Sequence, residues 1–293
     1  MRKTAFITLF ILLFSLRVSA QLEDRFSYLL ESDLAEYAKP AVTSLGVGLN
    51  SAGYHDAYVS KLFGFSIGVR AMFIFIPDDQ LTFKPVGLPE GYSADKETAT
   101  IWGDKGAVYP GPLGYVTYPG GLNVTTVPLA YPQASVSLLG TEIMIRYLPE
   151  IDLGDSGESL SLFGFGIKHS ISQYIPLLPV NIAVQFLYNN LSVTNVMESK
   201  NIAFNVHASK SFGLFSLYGG LQYETSTTEF TYVFEDPNNV STLDGTEISS
   251  TIDGDNNVRL TVGAAFTAAF FVINADYSIG SQSVVTTGIS FEF

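Results

Sequence analysis

The chain has 293 residues, no cysteine, and 28 acidic against 15 basic side chains, a net charge of −13. The acidic excess excludes nucleic acid, whose phosphates need basic partners. Missing cysteine excludes a disulfide framework and a cysteine-borne lipid anchor, and leaves a structural zinc site without its usual thiolates.

Residues 1–20 read as a secretory signal peptide: Arg2 and Lys3 make a positive start, Ala5 to Leu16 is apolar, and Val18, Ser19 and Ala20 form a small-residue cleavage site before Gln21. The apolar run is too short to span a bilayer as a helix. Its removal takes away three of the 15 basic residues and no acid, leaving 12 against 28, net −16. Hydrophobic residues make up 47% and charged ones only 15%, below the roughly 25% charged of ordinary soluble domains. The acid is instead concentrated at 78–79, 90–95, 152–158 and 235–255.

Over 21–40, Phe26, Leu29, Leu30, Leu34 and Tyr37 recur at helical spacing and Pro40 closes the run, which predicts a short helix. From there the period changes to two. Leu45, Val47 and Leu49 suggest a first strand over 44–52, and Phe63, Phe65, Ile67, Val69, Ala71, Phe73 and Phe75 share one face of a second, with Gly64, Ser66, Gly68 and Arg70 on the other. A short strand is expected over 80–84, after the turn at Pro77, Asp78 and Asp79. Residues 86–129, rich in Pro, Gly and Tyr, form a long loop, and 130–138 another strand.

From Gly140 onward the alternation is regular. Ile143, Ile145 and Tyr147 oppose Glu142, Met144 and Arg146; Phe163, Phe165 and Ile167 oppose Gly164, Gly166 and Lys168. Further strands place Gln185, Asn205, His207, Glu224, Arg259 and Asp276 opposite wholly apolar faces, and Ile289, Phe291 and Phe293 end the chain on one face. Connections alternate between long and short, with the longest over 235–256. A secreted chain with no window of about 18 apolar residues after its signal, built of strands that are apolar on one side, fits an all-β transmembrane antiparallel barrel over 41–293. About 12 strands are expected, within a range of 10–14. Such a barrel belongs in the outer membrane of a Gram-negative cell, with lipid as its surroundings.

The mixed faces then point inward, so Arg70, Glu142, Arg146, Lys168, Gln185, Asn205, His207, Glu224, Arg259 and Asp276 are the candidate lumen residues. They either pair and lock a closed interior or select solutes by charge. The helix over 21–40 sits at the periplasmic mouth or plugs the lumen with Phe26, Leu29, Leu30 and Leu34. No catalytic constellation appears: no Ser/His/Asp arrangement stands out, and His55, His169 and His207 have no partner at ligand spacing. Asp253, Gly254 and Asp255 begin like a calcium loop, but Val258 stands where the turn glycine belongs and Ala264 where the bidentate glutamate belongs, so a solvated loop tip is expected. The reading is a non-enzyme without metal or cofactor.

The stretches GTEIMIRYLP (Gly140 to Pro149) and GIKHSISQYIP (Gly166 to Pro176) resemble segments of a poorly characterised family of Bacteroidota outer-membrane barrels, similar in layout to FadL-like transporters of hydrophobic compounds. The resemblance extends over most of the chain after the signal. It implies passive passage of a small hydrophobic molecule, and recognition of the terminal strand with Ile289, Phe291 and Phe293 by the barrel-assembly machinery. FadL-like barrels usually have more strands and longer chains than this one. A closed structural or surface-interaction barrel acting through its acidic loops is the alternative.

Overall fold

The structure, a computed structural model, describes residues 31–153, 158–175, 177–234 and 246–293. Its wall is a closed antiparallel barrel of ten strands: β1 (Gly64–Phe75), β6 (Thr126–Leu138), β7 (Thr141–Asp152), β8 (Ser159–Ser170), β9 (Asn181–Val193), β10 (Met197–Phe212), β11 (Phe215–Phe234), β13 (Val258–Ala268), β14 (Phe271–Ile279) and β15 (Ser283–Glu292). Each strand pairs with its sequence neighbours in the wall, and β1 closes the ring on β15. Phe293 exchanges two 3.0 Å backbone hydrogen bonds with Phe65, so the terminus is stitched into the closing seam.

Burial is inverted relative to a soluble sheet protein. On β8, Lys168 is 4% exposed while its apolar neighbour Ile167 is 45% exposed. The same inversion pairs buried Arg146 with exposed Ile145 and Tyr147, and buried Arg259 with exposed Val258 and Leu260. An apolar exterior around a polar interior is the arrangement a bilayer requires of a strand-built wall.

The expected 12 strands are ten in the wall. An eleventh, β12 (Thr246–Asp253), lies within the predicted 235–256 loop and pairs with the outer part of β11, beyond the stretch that β13 covers. The expected strand over 44–52 is instead the end of a helix, α1 (Glu31–Leu49), which runs straight through Pro40 rather than stopping there. Leu34, Tyr37, Ala38, Ala41, Val42, Leu45 and Leu49 continue one helical stripe into the interior, and this outweighs the brief alternation of Leu45, Val47 and Leu49. The predicted boundary of 21–40 is therefore moved; Phe26, Leu29 and Leu30 lie outside the described residues.

The predicted loop over 86–129 is a cap spanning 76–125. It holds a one-turn 3₁₀ helix, the pair β2 (Thr82–Phe83) and β3 (Thr98–Ala99), and the hairpin β4 (Val108–Gly111) with β5 (Gly114–Thr117). Trp102, Tyr109 and Tyr118 pack it onto α1. Only two residues separate β6 from β7, β10 from β11, and β13 from β14. These turns share one end of the barrel, and the cap covers the other.

Candidate functional site

The lumen is threaded by the chain's own N-terminal segment. Helix α1 begins at the capped end, where Asp33 accepts from the Val86 and Gly87 backbone and from the Tyr118 hydroxyl. The Tyr37 carbonyl receives the Ile101 N–H at 3.0 Å, and Trp102 donates to Ser44 at 3.2 Å. Residues 50–57 then cross the middle of the barrel, and Ser60 and Lys61 reach the short-turn end, accepting from Gly140 and Leu139. Leu34 is fully buried in the apolar cluster at the top of this path.

The interior changes character along its length. Around α1 it is apolar: Met72, Ile74, Val127, Leu160, Leu162, Leu191 and Val193 project inward and join the helix in one cluster. Around residues 49–56 it is a polar belt. Arg146 donates to the carbonyls of Leu49 (2.6 Å) and Ser51 (2.8 Å), and to Asn189 (3.1 Å), with its guanidinium 4.6 Å from the Tyr131 ring centroid. Arg259 donates to the Val47 carbonyl at 2.8 Å and pairs with Glu224 at 2.6 Å. Gln222 and Gln185 donate to the carbonyls of Asn50 (3.1 Å) and Gly53 (2.8 Å). A helix leaves its last carbonyls without intrahelical partners and carries partial negative charge there. The last turn of α1 has no basic residue, and two wall arginines supply that charge.

All ten sequence-predicted lumen residues face inward, and most of them meet. Besides Arg259 with Glu224, Lys168 pairs with Glu142 at 3.1 Å, Asn205 bridges Gln185, Gln222 and His207, and Asp276 accepts from Tyr218 at 2.9 Å. Arg70 reaches Asn274 and His55; among the described residues it lies within 4.0 Å of no carboxylate. Ile289, Phe291 and Phe293 lie on the outer surface.

Sequence reasoning missed the other half of the belt. Residues 50–56 carry no periodicity, yet Tyr54 stacks on His207 (3.9 Å between centroids, 9° between planes) and His55 bonds Glu292 at 3.1 Å. Glu292 and Asn274 stand at inward positions that the period of two could have marked. The expected solvated tip at 253–257 is a clasp instead: Asp255 pairs with Lys39 at 3.4 Å, its N–H donates to Thr43, and Asn256 is buried against Ser226 and Glu224.

One seam of the wall is incomplete. Pairing of β6 with β7 runs from Leu138–Thr141 to Gln133–Arg146 and stops, although both strands continue. The hydrogen bonds of Phe65 to Phe293 and of Ile76 to Thr125 fix which way each backbone group points. By alternation, residues 128, 130 and 132 of β6 face β7, and 147 and 149 of β7 face β6. The next two rungs would be Pro132 with Tyr147 and Ala130 with Pro149, and each contains a residue with no N–H. Beyond them, a bulge between Leu148 and Ile151 re-aims β7, and Pro128 removes a further donor from the facing edge. Behind this gap stand Val127, Leu129, Leu148, Leu160 and Leu162, with Tyr131 and Arg146 at its lower lip.

A closed, inside-out sheet threaded by its own helix has the fold of an outer-membrane β-barrel. This chain belongs to DUF6588, a family of unknown function, whose model matches residues 1–293. Comparison with curated proteins gives no match. Among solved structures it is similar to a loop-deletion mutant of OmpT, an outer membrane protein of Vibrio cholerae (15% identity, 79% of this chain and 76% of that one, TM-score 0.28). It is also similar to Ail of Yersinia pestis (14%, 79% and 97%, TM-score 0.24) and to the toluene transporter TbuX of Ralstonia pickettii (8%, 80% and 89%, TM-score 0.25). At these scores no ligand or activity is carried across.

Proposed function

We propose that the protein passes a small hydrophobic solute between the outer lumen and the bilayer through the β6–β7 gap, without catalysing a reaction. The observation that supports this reading is the gap itself. Two successive rungs each hold a proline, and the side chains behind them are apolar, so an apolar molecule leaving the lumen there meets lipid rather than water. This is the FadL-like manner of passage that the sequence resemblance implies.

In this reading residues 1–20 direct export, the barrel-assembly machinery recognises the terminal strand with Ile289, Phe291 and Phe293, and the barrel sits in the outer membrane. The short turns face the periplasm, while the cap and residues 246–256 face outward; the rest of the acidic 235–256 stretch lies outside the described residues. The closed-barrel alternative draws on a separate observation, the dense bonding of residues 47–56 to the wall.

Proteoliposome uptake of a naphthyl hydrocarbon probe separates the two. The expected result is faster uptake with the wild type than with protein-free vesicles, falling toward background when Pro128, Pro132 and Pro149 are all replaced by alanine. Equal rates for wild type and variant would sink the lateral route. No acceleration by either would leave the closed barrel.

A further inference from the structure

At the short-turn end a vestibule of about 200 Å³ lies beneath the plug segment. Its roof is Gly53 to Asp56, and Ser66, Ser135, Ser216 and Ala265 keep its walls thin. Arg70, Glu142, Lys168 and Glu292 project into it from four different strands. This mouth is opposite the capped end and is bounded by other residues than those of the β6–β7 gap.

Arg70 is the unsatisfied charged group of this cavity, beside the unpartnered Tyr54 hydroxyl. It is 3% exposed, its Nε has no hydrogen-bond partner, and no carboxylate of the described residues pairs with it. Its NH2 group contacts His55 Nδ1 at 3.3 Å. A guanidinium can only donate, so Nδ1 serves as the acceptor of this contact. Glu292 is already engaged by His55, Ser66 and Ser290. A buried guanidinium left this way calls for a planar, bidentate anionic partner.

The remaining charges rule out a simple anion. Among the carboxylates and the permanently cationic side chains of the lining, Asp56, Glu142 and Glu292 outnumber Arg70 and Lys168. Asp56 is held by the Tyr58 N–H and Ser209, and Glu142 by Lys168. An isolated carboxylate would gain Arg70 but meet this excess of acid. A molecule carrying a carboxylate and an ammonium satisfies both.

We infer that the vestibule is a binding site for a small zwitterion of amino-acid size, its carboxylate on the free edge of Arg70 and its ammonium toward the acidic side chains of the mouth. The site goes beyond the lateral route, because its ligand is polar and arrives from the short-turn side.

Calorimetric titration of the full chain in detergent micelles tests it, with glycine, acetate and methylammonium as probes. Glycine is expected to bind about tenfold or more tighter than either half-molecule, a difference of the size one charge-assisted contact gives. R70Q should abolish that preference. S135L, which fills the cavity without touching a charge, should do the same and covers the case in which R70Q fails to fold. Equal binding of the three probes, no binding of glycine by the folded wild type, or an unchanged glycine preference in folded S135L would overturn the assignment. None of these outcomes depends on whether a hydrocarbon passes the gap.

Discussion

Arg146 on β7 donates to the carbonyl of Leu49, the last residue of α1, at 2.6 Å. The wall of the barrel thereby caps the helix that fills it, and Arg259 does the same two residues earlier, at Val47. The two caps are not equivalent. Arg146 serves neutral acceptors, so R146M leaves carbonyls and amides that water can satisfy and no unpaired charge. Arg259 also neutralises Glu224, which is 2% exposed, and breaking a buried pair from one side costs about 3–5 kcal/mol. R259M is therefore expected to loosen the plug more than R146M, and R259M/E224M to recover part of the loss. Maleimide labelling of a cysteine placed at Ala52, in a chain otherwise free of cysteine, reads this directly. Equal labelling of the two single variants would contradict the ranking.

Gly46 and Gly48 let α1 approach the wall. A Cβ at Gly48 would lie 2.9 Å from the Ile74 and Leu129 side chains, and one at Gly46 would collide with Ser226. Overpacking of a filled interior typically costs about 1–3 kcal/mol, so G48L is expected to shift the helix. G46L should do so more strongly, because its obstacle is a short side chain close to the backbone rather than a flexible tip. Single-channel recording in a planar bilayer should show rare, brief openings for wild type and longer ones for G46L. A silent G46L barrel of normal fold would show that the lumen can absorb the extra volume.

The wall was legible in the sequence because it is built of one repeated local decision. From Gly140 onward the period of two puts Lys168, Arg259 and Asp276 inward, and each inward position follows from its neighbours. The plug was not, because residues 50–56 have no period of their own and take their shape from Arg146, Gln185 and Gln222, which lie far away in the chain. Pro40 misled for a related reason: the helix survives it through packing inside a closed wall, which no local rule registers. The prolines at 128, 132 and 149 were visible throughout. Their meaning depends on which edge each backbone nitrogen faces, and that is fixed by the register of three strands.

The cap should respond to alkali. Burial raises the Tyr118 hydroxyl above its ordinary value, and its hydrogen bond to Asp33 pushes the same way; burial also raises Tyr109. A group whose folded pKa is raised lends stability that is complete below its unfolded value and is lost as pH climbs through the folded one. For tyrosine that loss begins near about pH 10. Ultraviolet titration should thus show Tyr118 and Tyr109 ionising only as the cap lets go of Asp33. Y118F should remove part of the alkaline sensitivity, while also weakening the hold on the start of α1 at neutral pH. Early ionisation of both tyrosines in the folded protein would refute the coupling.

Trp102, the single tryptophan of the chain, lies in the apolar cluster and donates to Ser44 of α1, so its fluorescence reports on the outer lumen. If apolar molecules enter from lipid between β6 and β7, bromobenzene dissolved in the bilayer should quench it. Replacing Pro132 and Pro149 with alanine restores a donor to each of the two missing rungs, and backbone pairing there is worth about 0.5–1.5 kcal/mol per bond. That is enough to bias a marginal seam toward closure, so quenching should fall in P132A/P149A while the emission maximum stays fixed. A control at Pro77, which lies off both strands of the seam, should change nothing. Undiminished quenching in the double variant would mean that bromobenzene reaches Trp102 by another route, and the two prolines would then be edge protection against strand pairing rather than the frame of an opening.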